Sequence, residues 1–169
     1  MPSKSNADDK IRVMFVCLGN ICRSPLAHGL FRNLVEEAGL ADRFEIESSG
    51  TGAWHVGEQP DARMQQTARR NGVPLDDLRA RQVCAEDFHR FDRILAMDRA
   101  NLADLRRLAP ARGGAELSLM LSHGSRGGGE VPDPYYGGAE GFEHVLDLLE
   151  DACAGLLDRL ARETDGSAP

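Results

Sequence analysis

Ile11-Arg12-Val13-Met14-Phe15-Val16-Cys17-Leu18-Gly19-Asn20-Ile21-Cys22-Arg23-Ser24-Pro25 decides how this chain is read. Ile11 to Val16 is short, mostly apolar and partly β-branched, the mark of a parallel strand buried on both faces. Pro25 suits a first helical turn with Ser24 as its cap, and Leu26, Leu30, Phe31, Leu34 and Ala38 recur at helical spacing up to Gly39. Cys17 to Ser24 therefore joins a strand end to a helix start. A loop curled there points successive backbone N–H groups at one spot, and the helix N-terminus adds donors and partial positive charge. Gly19 permits the tight backbone. The segment reads as a nest for a tetrahedral oxyanion. Arg23 adds a forked, permanently charged donor suited to bidentate phosphate contacts. The same field favours the thiolate form of Cys17, the reactive form. Asn20 and Ser24 are placed to hydrogen-bond within the loop and hold its shape. No Gly-Lys-Ser/Thr follows the glycine, so this is not a nucleotide-binding Walker loop.

The pattern continues outward. Phe44 to Ser48 reads as a second strand and Asp61 to Arg70 as a helix closed by Asn71-Gly72. Phe91 to Met97 reads as a third strand, Asn101 to Leu108 as a helix stopped by Pro110, and Glu116 to Leu121 as a fourth, weaker strand. Phe142, Val145, Leu146, Leu149, Cys153, Leu156 and Leu160 line one face of a last helix. Alternating strands and helices predict an α/β domain of three layers, a four-stranded parallel sheet flanked by helices. Residues 10–163 form that single domain, with 1–9 and 164–169 read as disordered tails. Ligands bind such sheets beyond the carboxyl ends of the strands, which is where Cys17 to Ser24 falls.

The 169 residues carry a formal net charge of −7, which argues against a general nucleic-acid or membrane-surface binder. Residues 1–10 lack the apolar core of a signal peptide, and no apolar run approaches a membrane span. The expected location is cytoplasmic, where Cys17, Cys22, Cys84 and Cys153 stay thiols. The five histidines are scattered and no cysteine–histidine set has metal spacing, so neither metal nor cofactor is expected. A monomer is the expected state.

Val16 to Pro25 resembles the Cys-x5-Arg-Ser/Thr-Pro loop of the low-molecular-weight protein tyrosine phosphatases. Gly50-Thr51-Gly52-Ala53-Trp54-His55-Val56-Gly57 is similar to that family's substrate-rim segment, Met97-Asp98-Arg99-Ala100-Asn101-Leu102 to its Met-Asp-x-x-Asn-Leu segment, and Asp133-Pro134-Tyr135-Tyr136-Gly137 to its acid loop. The resemblance runs from Ile11 to about Leu160. It implies a Rossmann-like fold and hydrolysis of phosphotyrosine through a cysteinyl phosphate. Cys17 is then the nucleophile, and Arg23 with the amides of Leu18, Gly19, Asn20, Ile21, Cys22 and Ser24 binds phosphate. Asp133 becomes the general acid and base, flanked by Pro132 and Pro134. Such an acid is worth roughly 10²–10⁴-fold in rate. Trp54, Tyr135 and Tyr136 are placed at the pocket mouth, where aromatic faces can hold a phenyl ring. The partners implied are phosphotyrosine proteins and small oxyanions.

Cys22 shares the loop with Cys17 and could trap its oxidised form as a disulfide; the alternative is a packing role. Asp98 and Asn101 read either as supports of the cradle or as the cap and first turn of the next helix. Two departures from the family pattern stand out: His28 follows Ala27 where Glu is common, and Asn71 stands where some members carry a histidine that contacts the cradle. Related enzyme classes share the loop. Arsenate reductases use a further close cysteine pair, which this chain lacks, and arginine phosphatases tend to carry Thr where this chain has Ile21. A non-catalytic phosphotyrosine binder would have lost Cys17 or Asp133.

Overall fold

The computed structural model describes residues 10–135 and 137–164; residues 1–9, 136 and 165–169 lie outside it, and Thr164, expected to begin a tail, ends a helix instead. The strands β1 (Ile11–Cys17), β2 (Phe44–Gly50), β3 (Arg93–Ala96) and β4 (Glu116–Leu119) form one sheet in the order β2-β1-β3-β4, every pair parallel. The helices are α1 (Arg23–Glu37), α2 (Ala62–Arg70), α3 (Asp87–Arg90), α4 (Arg99–Leu108) and α5 (Ala139–Thr164). Both sheet faces are covered, as the apolar run from Val13 to Cys17 in β1 requires. Val13, Phe15 and Cys17 pack with Leu95 and Met97 against α1, α2 and α5. Met14 and Val16 pack with Ile94 and Ala96 against Phe88, Leu102 and Leu105 of α3 and α4. Edge-on contacts from Phe15 to Phe31 (5.7 Å) and from Phe31 to Phe44 (5.5 Å) tie α1 to the sheet. The three-layer α/β architecture is the expected one.

Local chemistry sets the boundaries. α1 ends in a Schellman turn: Gly39, at φ +73°, donates to Glu36 O and Leu40 donates to Val35 O. Gly72, at φ +77°, closes α2 in the same way. Asp61 caps α2, accepting from Arg63 N and Met64 N. α4 stops at Leu108 because Ala109, before Pro110, is extended.

Three expectations need correction. Ser24 is not the cap of α1; Cys22 holds that position without a side-chain cap bond, and Ser24 is buried in the first turn. β3 is shorter than expected because Phe91 closes α3 through a bond to Asp87 O. β4 is cut short where Met120 and Leu121 enter a 3-10 turn, Met120–His123. No helix among the described residues is long and apolar enough to cross a membrane.

Candidate active site

The loop after β1 is anchored to the next strand. Thr51 N donates to Cys17 O and Gly52 N to Leu18 O, both at 2.9 Å, which carries the β1–β2 pairing past the sheet edge. Asn20 has φ +58°, in the left-handed region that Asn tolerates better than most side chains. That turn aims its N–H at Cys17 Sγ (3.3 Å). Its side chain is used at both ends: Nδ2 donates to Ser24 Oγ (2.7 Å) and Oδ1 accepts from Arg81 N (3.0 Å). Gly50 lies directly beneath. A Cβ there would stand 2.8 Å from Leu18 O and 3.1 Å from Asn20 N, so only glycine lets the loop settle on β2.

Ser24 Oγ lies 3.0 Å from Cys17 Sγ and 3.3 Å from Ser49 O. It accepts from Asn20, and its one proton can point to only one of these two acceptors. A thiol on Cys17 can donate to Ser24, which then donates to Ser49 O. A sulfur anion instead draws the Ser24 proton to itself. The same hydroxyl serves both states with no movement of heavy atoms.

Arg23 is 2% exposed. Its Nη1 donates to Asp98 Oδ2 (2.7 Å) and Val131 O (2.9 Å), while Nη2 lies 3.6 Å from Asp133 Oδ2. Burial opposes the guanidinium charge, but Cys17, Asp98 and Asp133 outweigh it and hold Arg23 above its ordinary value. Asp98 does both things its sequence position allowed. Oδ2 supports Arg23, and Oδ1 caps α4 by accepting from Asn101 N (2.8 Å), while Asp98 N donates in turn to Asn101 Oδ1. Val131 N donates to Met97 O, which hangs the segment carrying Asp133 on the end of β3.

These groups open into a pocket of about 400 Å³. Cys17 and Arg23 form its floor with Cys22; Leu18, Ile21, Trp54 and Tyr135 supply apolar walls, and Asp133 stands at one side. Trp54 is not a core residue: it is 71% exposed, and its ring lies so close over Gly52 that a Cβ there would overlap it. Asp133 Oδ1 accepts from Tyr135 N (3.0 Å), an Asx turn that fixes the carboxyl group. Tyr136, expected at the mouth, lies outside the described residues. Cys22 is a buried thiol whose ionisation is pushed well above the usual range, by burial first and then by Asp61 and Cys17.

Four contributors were not singled out by the sequence reading, although Gly50 and His55 lie in the segment similar to the family's rim: Gly50, His55, Arg63 and Arg81. His55 lines the pocket mouth, bonded through Nδ1 to Glu58 (3.1 Å) and tilted toward Tyr135 at 6.1 Å between rings. Arg63 donates to Tyr135 O (2.9 Å). Arg81 acts through its backbone N–H on Asn20. The pattern Gly-Thr-Gly at the end of a strand neighbouring β1 was the available signal for Gly50. Of the two departures, His28 is buried and bonded to Ser48 Oγ (3.1 Å), with its ionisation lowered to about 4 by burial and then Arg32. Asn71 donates to Thr67 O at the end of α2, a bond that serves the helix rather than the cradle.

A larger groove of about 890 Å³ lies along α5 and holds none of the loop residues. Several of its charges are paired: Arg93 with Glu116 and Glu163, and Arg162 with Asp158.

Comparison with known proteins agrees with this geometry. The chain is 46% identical over 153 residues to the low molecular weight phosphotyrosine protein phosphatase of Schizosaccharomyces pombe, covering 89% of this chain and 97% of that one. A crystal structure of a protein tyrosine phosphatase from Entamoeba histolytica superposes with a TM-score of 0.87 at 37% identity, over 91% of this chain and 99% of that one. A Drosophila arginine phosphatase superposes with a TM-score of 0.83 at 32% identity, over 89% and 98%. The profile described as low molecular weight phosphotyrosine protein phosphatase matches residues 12–166. With a strand-end cysteine, a buried arginine and an aspartate meeting in one pocket, the chain belongs to the low molecular weight phosphotyrosine protein phosphatase family.

Proposed function

We propose that residues 10–163 form a catalytic domain that hydrolyses phosphotyrosine in proteins, with Cys17 as nucleophile, Arg23 and the loop amides as phosphate ligands and Asp133 as general acid and base. The observation that carries this reading is the convergence on one pocket of Cys17 and Arg23, from the loop after β1, and Asp133, from a segment more than a hundred residues away. Nη1 of Arg23 is held by the scaffold, so the Nε and Nη2 edge is the one that meets two phosphate oxygens.

In the first step Cys17 Sγ attacks phosphorus and the P–O bond to the aryl group breaks. The Asp133 carboxyl passes its proton to the departing phenolate oxygen. Its Oδ2 side faces Arg23 and the pocket, since Oδ1 is occupied by Tyr135 N. In the second step Asp133, now a carboxylate, takes a proton from water as the water oxygen attacks phosphorus. The S–P bond breaks, the sulfur leaves as an anion accepting from Asn20 N and the Ser24 hydroxyl, and inorganic phosphate is released. The developing charge on the phosphoryl oxygens is met by fixed dipoles and Arg23.

The apolar walls from Leu18, Ile21, Trp54 and Tyr135 suit a phenyl ring, and a shorter phosphoserine would not reach Cys17 from the rim. Ile21 also disfavours the polar guanidinium of phosphoarginine, the second reading that the Drosophila neighbour raises. Cys22 serves as a redox partner of Cys17: once a peroxide has oxidised the Cys17 sulfur to a sulfenic acid, the Cys22 sulfur attacks it, its proton leaves with the hydroxyl group as water, and a disulfide forms. The four free thiols fit a reducing cytoplasm.

The deciding experiment compares phosphotyrosine peptide, phosphoarginine peptide and arsenate with the parent, Cys17→Ser and Asp133→Ala. The expected outcome is turnover of phosphotyrosine alone, abolished in Cys17→Ser. Normal turnover by Cys17→Ser, or preference for phosphoarginine, sinks the reading.

A further inference from the structure

Arg63 is an exposed arginine with an unusually complete set of partners. Its Nε donates to Asp61 Oδ1 (3.1 Å) and its Nη2 to Asp61 Oδ2 (2.9 Å), the bidentate fork. Nη2 also donates to Tyr135 O at 2.9 Å. The guanidinium carbon sits 4.8 Å from the centre of the Phe142 ring and 5.5 Å from that of Tyr135. A surface ion pair made only for charge would fix neither the fork nor the two aromatic faces.

Both ends of this assembly reach the chemistry. Asp61 N donates to Ile21 O at 2.7 Å, so Asp61 is joined to the phosphate loop by its backbone. Tyr135, held by Arg63, holds Asp133 Oδ1 through its own N–H at 3.0 Å. The run is continuous: Ile21, Asp61, Arg63, Tyr135, Asp133. It links the loop that binds phosphate to the carboxyl that faces the leaving group, by a route separate from the Arg23 contact.

We propose that Arg63 is a positioning residue for Asp133, fixing the acid loop to the phosphate loop through Asp61 so that the carboxyl meets the leaving oxygen. The inference rests on Asp133 being the acid. Small displacements of a reacting group are costly, because a proton must pass over a hydrogen bond of about 2.6–3.2 Å. Loss of the Arg63 fork frees the carboxyl to sample other positions while Cys17, Arg23 and the loop amides stay in place. The defect then falls on substrates whose leaving group needs a proton and spares those whose leaving group does not.

The test compares kcat/KM for phenyl phosphate, a poor leaving group, and dinitrophenyl phosphate, which departs without a proton. Arg63→Met keeps the aliphatic stem and loses the fork; Arg63→Lys keeps the charge and loses the fork. Both should lower kcat/KM for phenyl phosphate about tenfold, a fraction of the roughly 10²–10⁴-fold available to an acid, and leave dinitrophenyl phosphate within about twofold. Inhibition by vanadate, which reads the phosphate loop, should stay within about twofold of the parent, which also shows that the variants are folded. In an Asp133→Ala background Arg63→Met should add nothing. Equal losses on the two esters, no loss, a parent-like Arg63→Lys, or an additive loss with Asp133→Ala overturns the proposal. If Asp133→Ala itself loses equally on both esters, the acid assignment fails, and the role of Arg63 with it.

Discussion

Asp98 accepts from Arg23 Nη1 at 2.7 Å with one carboxylate oxygen and from Asn101 N at 2.8 Å with the other. One side chain thus fixes the phosphate-binding cation and starts α4. The two roles separate on substitution. Asn at position 98 still caps a helix well but carries no charge for Arg23. Asp98→Asn should therefore keep stability within about 1 kcal/mol and weaken inhibition by inorganic phosphate about tenfold. Asp98→Ala should lose both. Thermal unfolding beside phosphate inhibition separates the effects; parallel losses in Asp98→Asn would mean that the pair is only structural.

Asn20 combines a left-handed backbone with a side chain bonded to Ser24 and Arg81. Asn20→Gly removes only the side-chain bonds, since glycine accepts φ +58° freely. Asn20→Ala removes the bonds and adds strain, so it should be the less stable variant by about 1 kcal/mol. Urea denaturation of the two proteins measures the difference, and an Ala variant as stable as Gly contradicts it.

Gly50 tests the seat of the loop. The Cβ of Gly50→Ala meets backbone atoms of Leu18 and Asn20, which have no rotamer to escape into. The loop must shift, at about 1–3 kcal/mol. The expected result is a folded protein that binds vanadate at least about tenfold more weakly; unchanged affinity would show that the loop tolerates the methyl group.

Trp54 is exposed and lines the mouth, not the floor. Trp54→Ala should raise KM for aryl phosphates about three- to tenfold through loss of ring contact, with stability within about 0.5 kcal/mol. Inhibition by inorganic phosphate, which has no ring, should not change. A matching loss for phosphate would place Trp54 in the cradle's support.

His28 gives the fold an acid-side sensitivity. The folded protein keeps it neutral down to about pH 4, whereas an unfolded chain protonates it near 6.5. Between these values the unfolded state binds more protons, so the contribution is fully present above about pH 6.5 and is lost as pH falls toward 4. The full effect is on the order of 3 kcal/mol. Urea midpoints at neutral pH and near pH 4.5 should show a smaller acid loss for His28→Asn than for the parent; equal losses would assign the acid sensitivity to other groups.

What was legible in the sequence was what lies together in it. Cys17, Asn20, Arg23 and Ser24 share one strand-to-helix turn, so their joint purpose could be read from local rules. Asp133 could not be read that way, because an aspartate between prolines is an ordinary turn; the family likeness singled it out. Asp98 was open between two roles because both are true. Ser24 was misread as a cap because Ser-Pro is a helix-start signal, and the pull of Cys17, Asn20 and Ser49 on its hydroxyl is tertiary. Arg81 and Gly50 act through backbone atoms, one by an N–H and one by lacking a side chain, and residue type alone does not announce either. Arg63 is one of many arginines, and only its contacts set it apart.

The pocket and its supports are gathered from Cys17 to Ser24, from Gly50, from Arg81, from Asp98 and from Val131 to Asp133, around the carboxyl ends of β1, β2 and β3. No fragment of the chain holds enough of these groups to grip an oxyanion. Phosphate, the product, then recognises only the completed fold and acts as a ligand of the native state. At a hundred times its dissociation constant it would deepen stability by about 2.7 kcal/mol. The anion that competes with substrate for the enzyme is thus also the one that protects the enzyme from unfolding.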